Sequence, residues 1–313
     1  MNTASKLGAY ALGLAAVFGG AVGVGDIAGP AVATVQAEKA HGGGHGTADT
    51  KEPVVPGGLQ VSQGGYTLVP EATVVEPGEE TDFRFTVNGP DGKPVTRYQP
   101  LHGKELHLIV ARRDLSGFQH LHPTQAGGGV WTIPLTLPDA GTYRFFTDVQ
   151  PEGAKEQLTL GTDVTAPGDF RPLALPKSEP VATVDGYEVE LNGTLTPGTT
   201  SKLVLTVRKD GKPVTDLEPY LEAYGHLVAL RDRDLAYLHV HPDGEPGDGK
   251  TRPGPEITFY AEVPSSGAYR LYLDFQHDGE VRTAEFTARA GDADRPAERP
   301  AETDDGHGDH EHG

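Results

Sequence analysis

Six of the chain's thirteen histidines stand in a pattern that occurs twice. His107, His120 and His122 form one set and His226, His239 and His241 the other, each spaced His-x12-His-x-His with a proline directly after. Neutral imidazole is a nitrogen donor, and three that converge make a site for a borderline divalent cation. Residues two apart in a strand face the same side, so His120 and His122 present their rings together, as do His239 and His241. Segments 114–117 and 232–236 read as hairpin turns, which lay His107 and His226 on the adjoining strands. A fourth candidate in each copy is an aspartate four residues after an arginine, Asp148 and Asp274. A carboxylate among apolar strand residues needs a cation or hydrogen bonds to offset its desolvation. It serves either as a ligand or as the acceptor that fixes the tautomer of a ligating histidine. A single His-x-His pair is equally well explained by structural hydrogen bonds; its recurrence with a third histidine favours metal.

The remaining histidines are less informative. His41 and His45 near one end, and His307, His310 and His312 near the other, lie in polar tracts that either load metal weakly or act as solvated spacers. His102 and His277 have no counterpart in the other copy and are expected at the surface, although His277 stands close enough to Asp274 to join the second site.

The chain has no cysteine, and its single methionine is Met1. Disulfides, zinc ribbons and blue-copper centres, which need thiolate, are thereby excluded, as are the soft sulfur ligands of copper(I) trafficking. Nitrogen and oxygen donors point to copper(II) or zinc, with copper(II) favoured at equal availability. The implied role is buffering, delivery or resistance, not electron transfer, with a membrane metal transporter as the implied partner. Protonation of imidazole should weaken binding below a pH of about 6.5. With 45 acidic against 26 basic residues, a net charge of −19, and no basic stripe, nucleic acid is not an expected partner.

Glycine (42) and proline (26) are abundant, which suits short strands joined by turns. Asp91-Gly92-Lys93-Pro94-Val95-Thr96 recurs identically at Asp210-Gly211-Lys212-Pro213-Val214-Thr215, and at this offset Arg112 falls on Arg231 and each histidine on its partner. Such agreement at one register marks a duplication. Beyond the histidines the offset grows, so the second copy carries seven extra residues in a loop at 243–255. Alternation places strands at 66–69, 81–87, 105–111, 118–122, 130–137, 143–149 and 156–164, then at 202–207, 226–230, 237–241, 257–263 and 269–275. The expected fold is all-β, two tandem immunoglobulin-like or cupredoxin-like sandwiches. Repeat 1 spans 59–166 and repeat 2 spans 183–290, joined by a proline-rich linker at 167–182.

The flanks read differently. Residues 1–37 hold an uncharged, apolar run at 7–25, expected to be a cleaved signal or a membrane anchor, with Ala31, Ala33 and Ala37 as small residues suited to cleavage. Residues 38–58 read as a disordered tether and 291–313 as an acidic, histidine-rich tail. The chain is expected outside the cytoplasm, secreted or anchored.

With its hydrophobic segment, histidine-rich tether and paired His-x-His-Pro repeats, the chain resembles exported tandem β-sandwich proteins of actinobacteria that accompany heavy-metal transport, which implies metal handling. In plan it is also similar to bacterial copper-resistance β-sandwich proteins, which bind copper(II) through histidines and an aspartate. Those place a ligand at the mature amino terminus, and no such histidine stands here. Two other readings remain. His239-Val240-His241-Pro242-Asp243-Gly244-Glu245 has the His-x-His-x3-Glu spacing of a cupin metalloenzyme, but the first copy lacks the glutamate and no second cupin motif follows. The other is a structural or adhesive surface module whose histidines only support the fold. No catalytic constellation stands out, and a non-enzymatic role is expected.

Overall fold

In a computed structural model of the chain, residues 55–291 are described, apart from His239 and the side chain of His241. The expected export segment, most of the tether, the acidic tail and the His239–His241 pair therefore lie outside the described residues. Among the described residues the structure is all-β, with ten strands in each repeat. No helix long and apolar enough to cross a membrane occurs among them.

Repeat 1 comprises β1 (Ser62–Gln63), β2 (Tyr66–Pro70), β3 (Glu80–Asn88), β4 (Tyr98–Gln99), β5 (Leu106–Arg112), β6 (Gln119–Leu121), β7 (Thr124–Gly127), β8 (Val130–Thr136), β9 (Gly141–Pro151) and β10 (Leu158–Ala166). Repeat 2 comprises β11 (Val181–Val184), β12 (Tyr187–Asn192), β13 (Thr200–Lys209), β14 (Lys212–Pro213), β15 (His226–Arg231), β16 (Tyr237–Leu238), β17 (Val240–Pro242), β18 (Glu256–Glu262), β19 (Gly267–His277) and β20 (Glu280–Ala290). The first of these, β11, begins inside the segment expected to be linker.

Each repeat is a sandwich of two antiparallel sheets. In repeat 1 the orders are β1-β2-β3-β8-β7 and β10-β9-β5-β6; in repeat 2 they are β11-β12-β13-β18-β17 and β16-β15-β19-β20. Strand β3 shows the usual half-buried alternation, with Phe83, Phe85 and Val87 turned inward. Strand β5 differs, because all seven of its residues are buried. Leu106, Leu108 and Val110 enter the core of repeat 1, while Ile109 and Ala111 on the opposite face enter a separate apolar cluster.

That cluster joins the two repeats. Ile109, Ala111, Leu115 and Phe146 of repeat 1 pack on Val228, Leu230, Leu235, Tyr237 and Tyr272 of repeat 2. Laid over each other by the duplication, Ile109 matches Val228, Ala111 matches Leu230, and Phe146 matches Tyr272, so the contact is close to self-complementary. Phe118 stacks on Tyr272 with ring centroids 3.9 Å apart, and Tyr237 meets Phe146 at 5.6 Å. The inner sheets are thus covered on both faces, which explains their near-continuous apolar runs.

Each inner hairpin is braced by the duplicated arginine. Arg112 holds Asp114 through two hydrogen bonds of 3.0 and 2.9 Å, and Arg231 grips Asp234 in the same way. The expected strand at 118–122 is shortened to β6, and the one at 237–241 is divided into β16 and β17. Strand β6 pairs with β5 and then, after Pro123, the chain crosses to the other sheet as β7; β16 and β17 repeat the crossing. The end of the expected tether also belongs to the fold. Gly57 accepts from the Tyr237 amide at 3.0 Å, Gly58 donates to Thr159 at 2.9 Å, and the Gly58 carbonyl takes the Arg144 guanidinium. Only glycine fits there, because Gly58 has φ of 72° and a Cβ would stand 2.2 Å from the Phe146 ring.

Candidate metal centre between the repeats

The two-residue period that sends Ile109 and Ala111 into the interface sends His107 to the same face, at its end. On β9, Phe146 and Asp148 share that face, as Tyr272 and Asp274 do on β19. The register sets His107 opposite Asp148 and His226 opposite Asp274. Strand β6 sets His120 opposite Ile109, and His122 follows just past the strand's end.

His107, His120 and His122 converge. His107 Nδ1 lies 3.1 Å from His120 Nε2 and 3.2 Å from His122 Nε2. One nitrogen from each ring falls within 4.8 Å of the others, the one group of three such donors among the described residues that could hold a metal ion. Metal–nitrogen distances of roughly 2.0–2.1 Å place tetrahedral ligands about 3.3 Å apart, close to the two contacts seen here.

The outer partners of the rings decide which nitrogens carry protons. His107 Nε2 is 2.8 Å from the Leu101 carbonyl, which can only accept, so that nitrogen bears the proton and Nδ1 keeps its lone pair. His120 Nδ1 is 2.7 Å from Asp274 Oδ2, again an acceptor, so in the neutral ring Nε2 keeps its lone pair. Two lone pairs therefore face each other across 3.1 Å, a repulsion that a metal ion or a proton between them would relieve, while His122 Nε2, 3.2 Å from His107 Nδ1, can also donate to it in its Nε2–H tautomer.

Burial opposes a proton on two of the three rings. It lowers the His107 pKa from its ordinary value to about 4, despite the Leu101 hydrogen bond, and lowers that of His122 to about 3, helped by the neighbouring histidines. Two of the three rings thus stay neutral well below the pH of about 6.5 expected of a free imidazole. The acid limit anticipated from the sequence moves down for them, because desolvation disfavours imidazolium.

The two aspartates, each a candidate ligand or outer partner, meet different donors. Asp274 belongs to repeat 2 yet serves the histidines of repeat 1; its other oxygen accepts from Thr283 at 2.6 Å. Asp148 faces His107 in register, but its oxygens are held by Thr159 at 2.5 Å and by the Tyr237 hydroxyl at 2.7 Å. Burial, with the carboxylate next, raises the Tyr237 pKa well above its usual range, so Tyr237 remains the donor.

His226 is the counterpart of His107 and repeats its anchoring, with Nε2 2.9 Å from the Leu221 carbonyl and 3.0 Å from that of Tyr220. Burial lowers its pKa to about 4. Its ring centroid stands 6.3 Å from that of His120.

His102, expected at the surface, packs its ring 5.4 Å from His226 and 6.2 Å from His107. It lines a cavity of about 40 Å³ together with His107, His120, Asp148 and His226. Its φ of 49° is matched by 52° at Leu221, the corresponding residue, so the turn is duplicated while the side chain is not. His277 is also buried, not exposed, and lies in a network of its own, 2.7 Å from the Tyr187 hydroxyl and 3.2 Å from Asp216. It does not join His226. Glu245 of the cupin-like spacing is exposed in the loop of repeat 2.

A family described as "Domain of unknown function (DUF8832)" matches residues 60–166 and again 182–292. No curated protein matches the sequence. Among solved structures, a DUF4426 family protein from Pseudomonas aeruginosa is 14% identical over 36% of this chain and 96% of its own, with a TM-score of 0.27. The Escherichia coli adhesin FdeC is 16% identical over 74% of this chain and 65% of its own, with a TM-score of 0.23. The Yersinia pseudotuberculosis adhesin InvE is 14% identical over 74% and 60%, with a TM-score of 0.24. The chain thus spans less than two thirds of the two adhesin structures, and at these TM-scores the likenesses carry no functional argument.

Proposed function

Because the chain belongs to the DUF8832 family and carries that domain twice, we propose, from the chemistry of its own side chains, that it holds a divalent metal ion at His107, His120 and His122. One observation carries the reading. Leu101 and Asp274 occupy the outer nitrogens of His107 and His120, which turns their lone pairs toward the same point.

An all-imidazole donor set suits copper(II) and zinc, and the absence of cysteine leaves no thiolate to select copper(I). The role is binding: buffering, delivery or resistance outside the cytoplasm, where the apolar run at 7–25 would direct the chain. The sequence's resemblance to exported proteins that accompany metal transport supports the same place, with a membrane metal transporter as the exchanging partner.

A second reading has its own observation. His107 and His226 both donate to backbone carbonyls, as purely structural histidines do, and the protein would then be a β-sandwich surface module. Titration of the full chain with copper(II) and zinc, beside a His107→Ala/His120→Ala/His122→Ala variant, separates the two. The metal reading expects one tight equivalent fewer in the variant, while weak uptake by the histidine-rich ends stays the same in both. Equal numbers of tight equivalents would leave the structural reading.

A further inference from the structure

We propose that Asp274, in repeat 2, is the positioning residue for the histidines of repeat 1, so that the ion is held tightly only while the two repeats are docked. The proposal rests on the metal reading above and adds to it an obligatory contribution from the second repeat.

Asp274 is 2% exposed, and both its oxygens are committed, one to Thr283 on its own sheet and one to His120 across the interface. Repeat 1 has an equivalent carboxylate, Asp148, directly opposite His107 in the register. That group is unavailable for the same task, because Thr159 and Tyr237 hold its oxygens. Orientation of His120 therefore depends on the other repeat. Remove Asp274 from reach and the His120 proton is free to move to Nε2, the atom turned toward His107, where it blocks the donor pair. Among the described residues, Asp274 is the acceptor that fixes His120 Nδ1.

What brings Asp274 into reach is the apolar contact between the inner sheets. Tyr272, two residues before Asp274 and on the same face, stacks on Phe118, two residues before His120. The Tyr272 hydroxyl also donates to the Leu115 carbonyl at 2.6 Å. Both aspartates reach a donor of the opposite repeat, Asp274 through His120 and Asp148 through Tyr237, so the polar end of the interface is crosslinked in both directions. If docking strengthens metal binding by some factor, metal strengthens docking by the same factor.

The test uses the full chain and competition titrations with zinc and with copper(II). Asp274→Asn keeps an acceptor of the same shape but removes the charge; Asp274→Ala removes both. Loss of an outer partner that orients a ligating histidine weakens affinity by about 10- to 100-fold, expected in full for Asp274→Ala and in part for Asp274→Asn. The copper(II) electron paramagnetic resonance spectrum of Asp274→Asn should differ from that of the wild type, a change that a merely structural carboxylate would not produce. Tyr272→Ala, which lies in the interface cluster and outside the core of repeat 2, should weaken binding while leaving Asp274 in place. Reciprocally, zinc should slow amide exchange at 115–118 and 270–274 in the wild type. If the wild type takes up a tight equivalent and all three variants match it within about twofold, with an unchanged spectrum, the positioning role is overturned. A wild type without any tight equivalent would overturn the metal reading itself, a distinct result.

Discussion

The two repeats use one scaffold to reach different polar endings. His107 and His226 occupy equivalent places, and each gives its Nε2 proton to a carbonyl at the same relative position, Leu101 or Tyr220. Asp148 and Asp274 are equally matched, each accepting from a threonine on the neighbouring strand. Among the described residues, which do not include His239, the counterpart of His120, they part where the opposite repeat meets them. Asp274 receives His120, whereas Asp148 receives the hydroxyl of Tyr237, whose counterpart is Phe118. A single hydroxyl, present in one copy and absent in the other, thus gives Asp148 a partner that Asp274 lacks. Duplication preserved the backbone geometry; the side chains across the interface distinguish the two carboxylates.

The sharpest way to break this comparison is to remove a donor from each copy. His120→Ala should cost the tight metal equivalent, an affinity loss beyond the roughly 10- to 100-fold typical of an outer partner, whereas His226→Ala should leave that equivalent in place. Isothermal titration of both variants checks it, and equal losses would erase the distinction between the copies.

Next in size is the apolar centre that both copies share. Leu230→Ala removes a fully buried side chain from the inter-repeat cluster and should destabilise the protein by about 2–5 kcal/mol in urea unfolding. Ordinary surface behaviour, within about 0.5 kcal/mol, would contradict the docked arrangement.

Tyr237→Phe restores the chemical match with Phe118 and strips Asp148 of one partner. It should cost about 1–3 kcal/mol of stability, while the metal equivalent at the histidine triad remains. Denaturation with and without zinc would reveal any unexpected loss of binding.

The smallest effect is on acid stability. The folded pKa values of His107, His122 and His226 lie at about 4, 3 and 4, below that of a free imidazole. The unfolded chain therefore binds more protons as pH falls below about 6.5, and metal-free stability should decline through that window toward the folded values. His122→Gln should flatten the decline in Tm between pH 7 and pH 4.5. An unchanged slope would mean that His122 titrates alike in both states.

Much of this is legible in the sequence. The duplicated motifs locate the repeats, and strand-length apolar patterns locate β3, β5, β8 and β9 and their counterparts; β3 and β8 keep one face in a core, while β5 and β9 are covered on both. The hairpin that brings His107 beside His120 is readable from its turn, where Arg112 and Asp114 sit. Other features were not. Strands β12 and β20 interleave apolar residues with glutamates and arginines, which hid them. The His-x-His segment reads as one strand because its alternation is regular, yet the chain changes sheets past Pro123 in the first copy and between β16 and β17, ahead of Pro242, in the second. The crossing of the aspartates was invisible, since register within a repeat pairs His107 with Asp148 and says nothing of what covers the second face. The one available signal is the uninterrupted apolar run Leu108–Ala111, the mark of a strand covered on both sides. His102 reached the cavity through a turn whose left-handed backbone is shared with Leu221, a likeness of shape without likeness of side chain.

The central claim is that three imidazoles of repeat 1 hold a metal ion. Crystals of the metal-loaded protein, with diffraction measured on either side of the zinc or copper absorption edge, test it most directly. The account predicts an anomalous peak at roughly 2.0–2.1 Å from His107 Nδ1, His120 Nε2 and His122 Nε2, with Asp274 still on His120 Nδ1. A protein saturated with metal that shows no peak between those three nitrogens would contradict it.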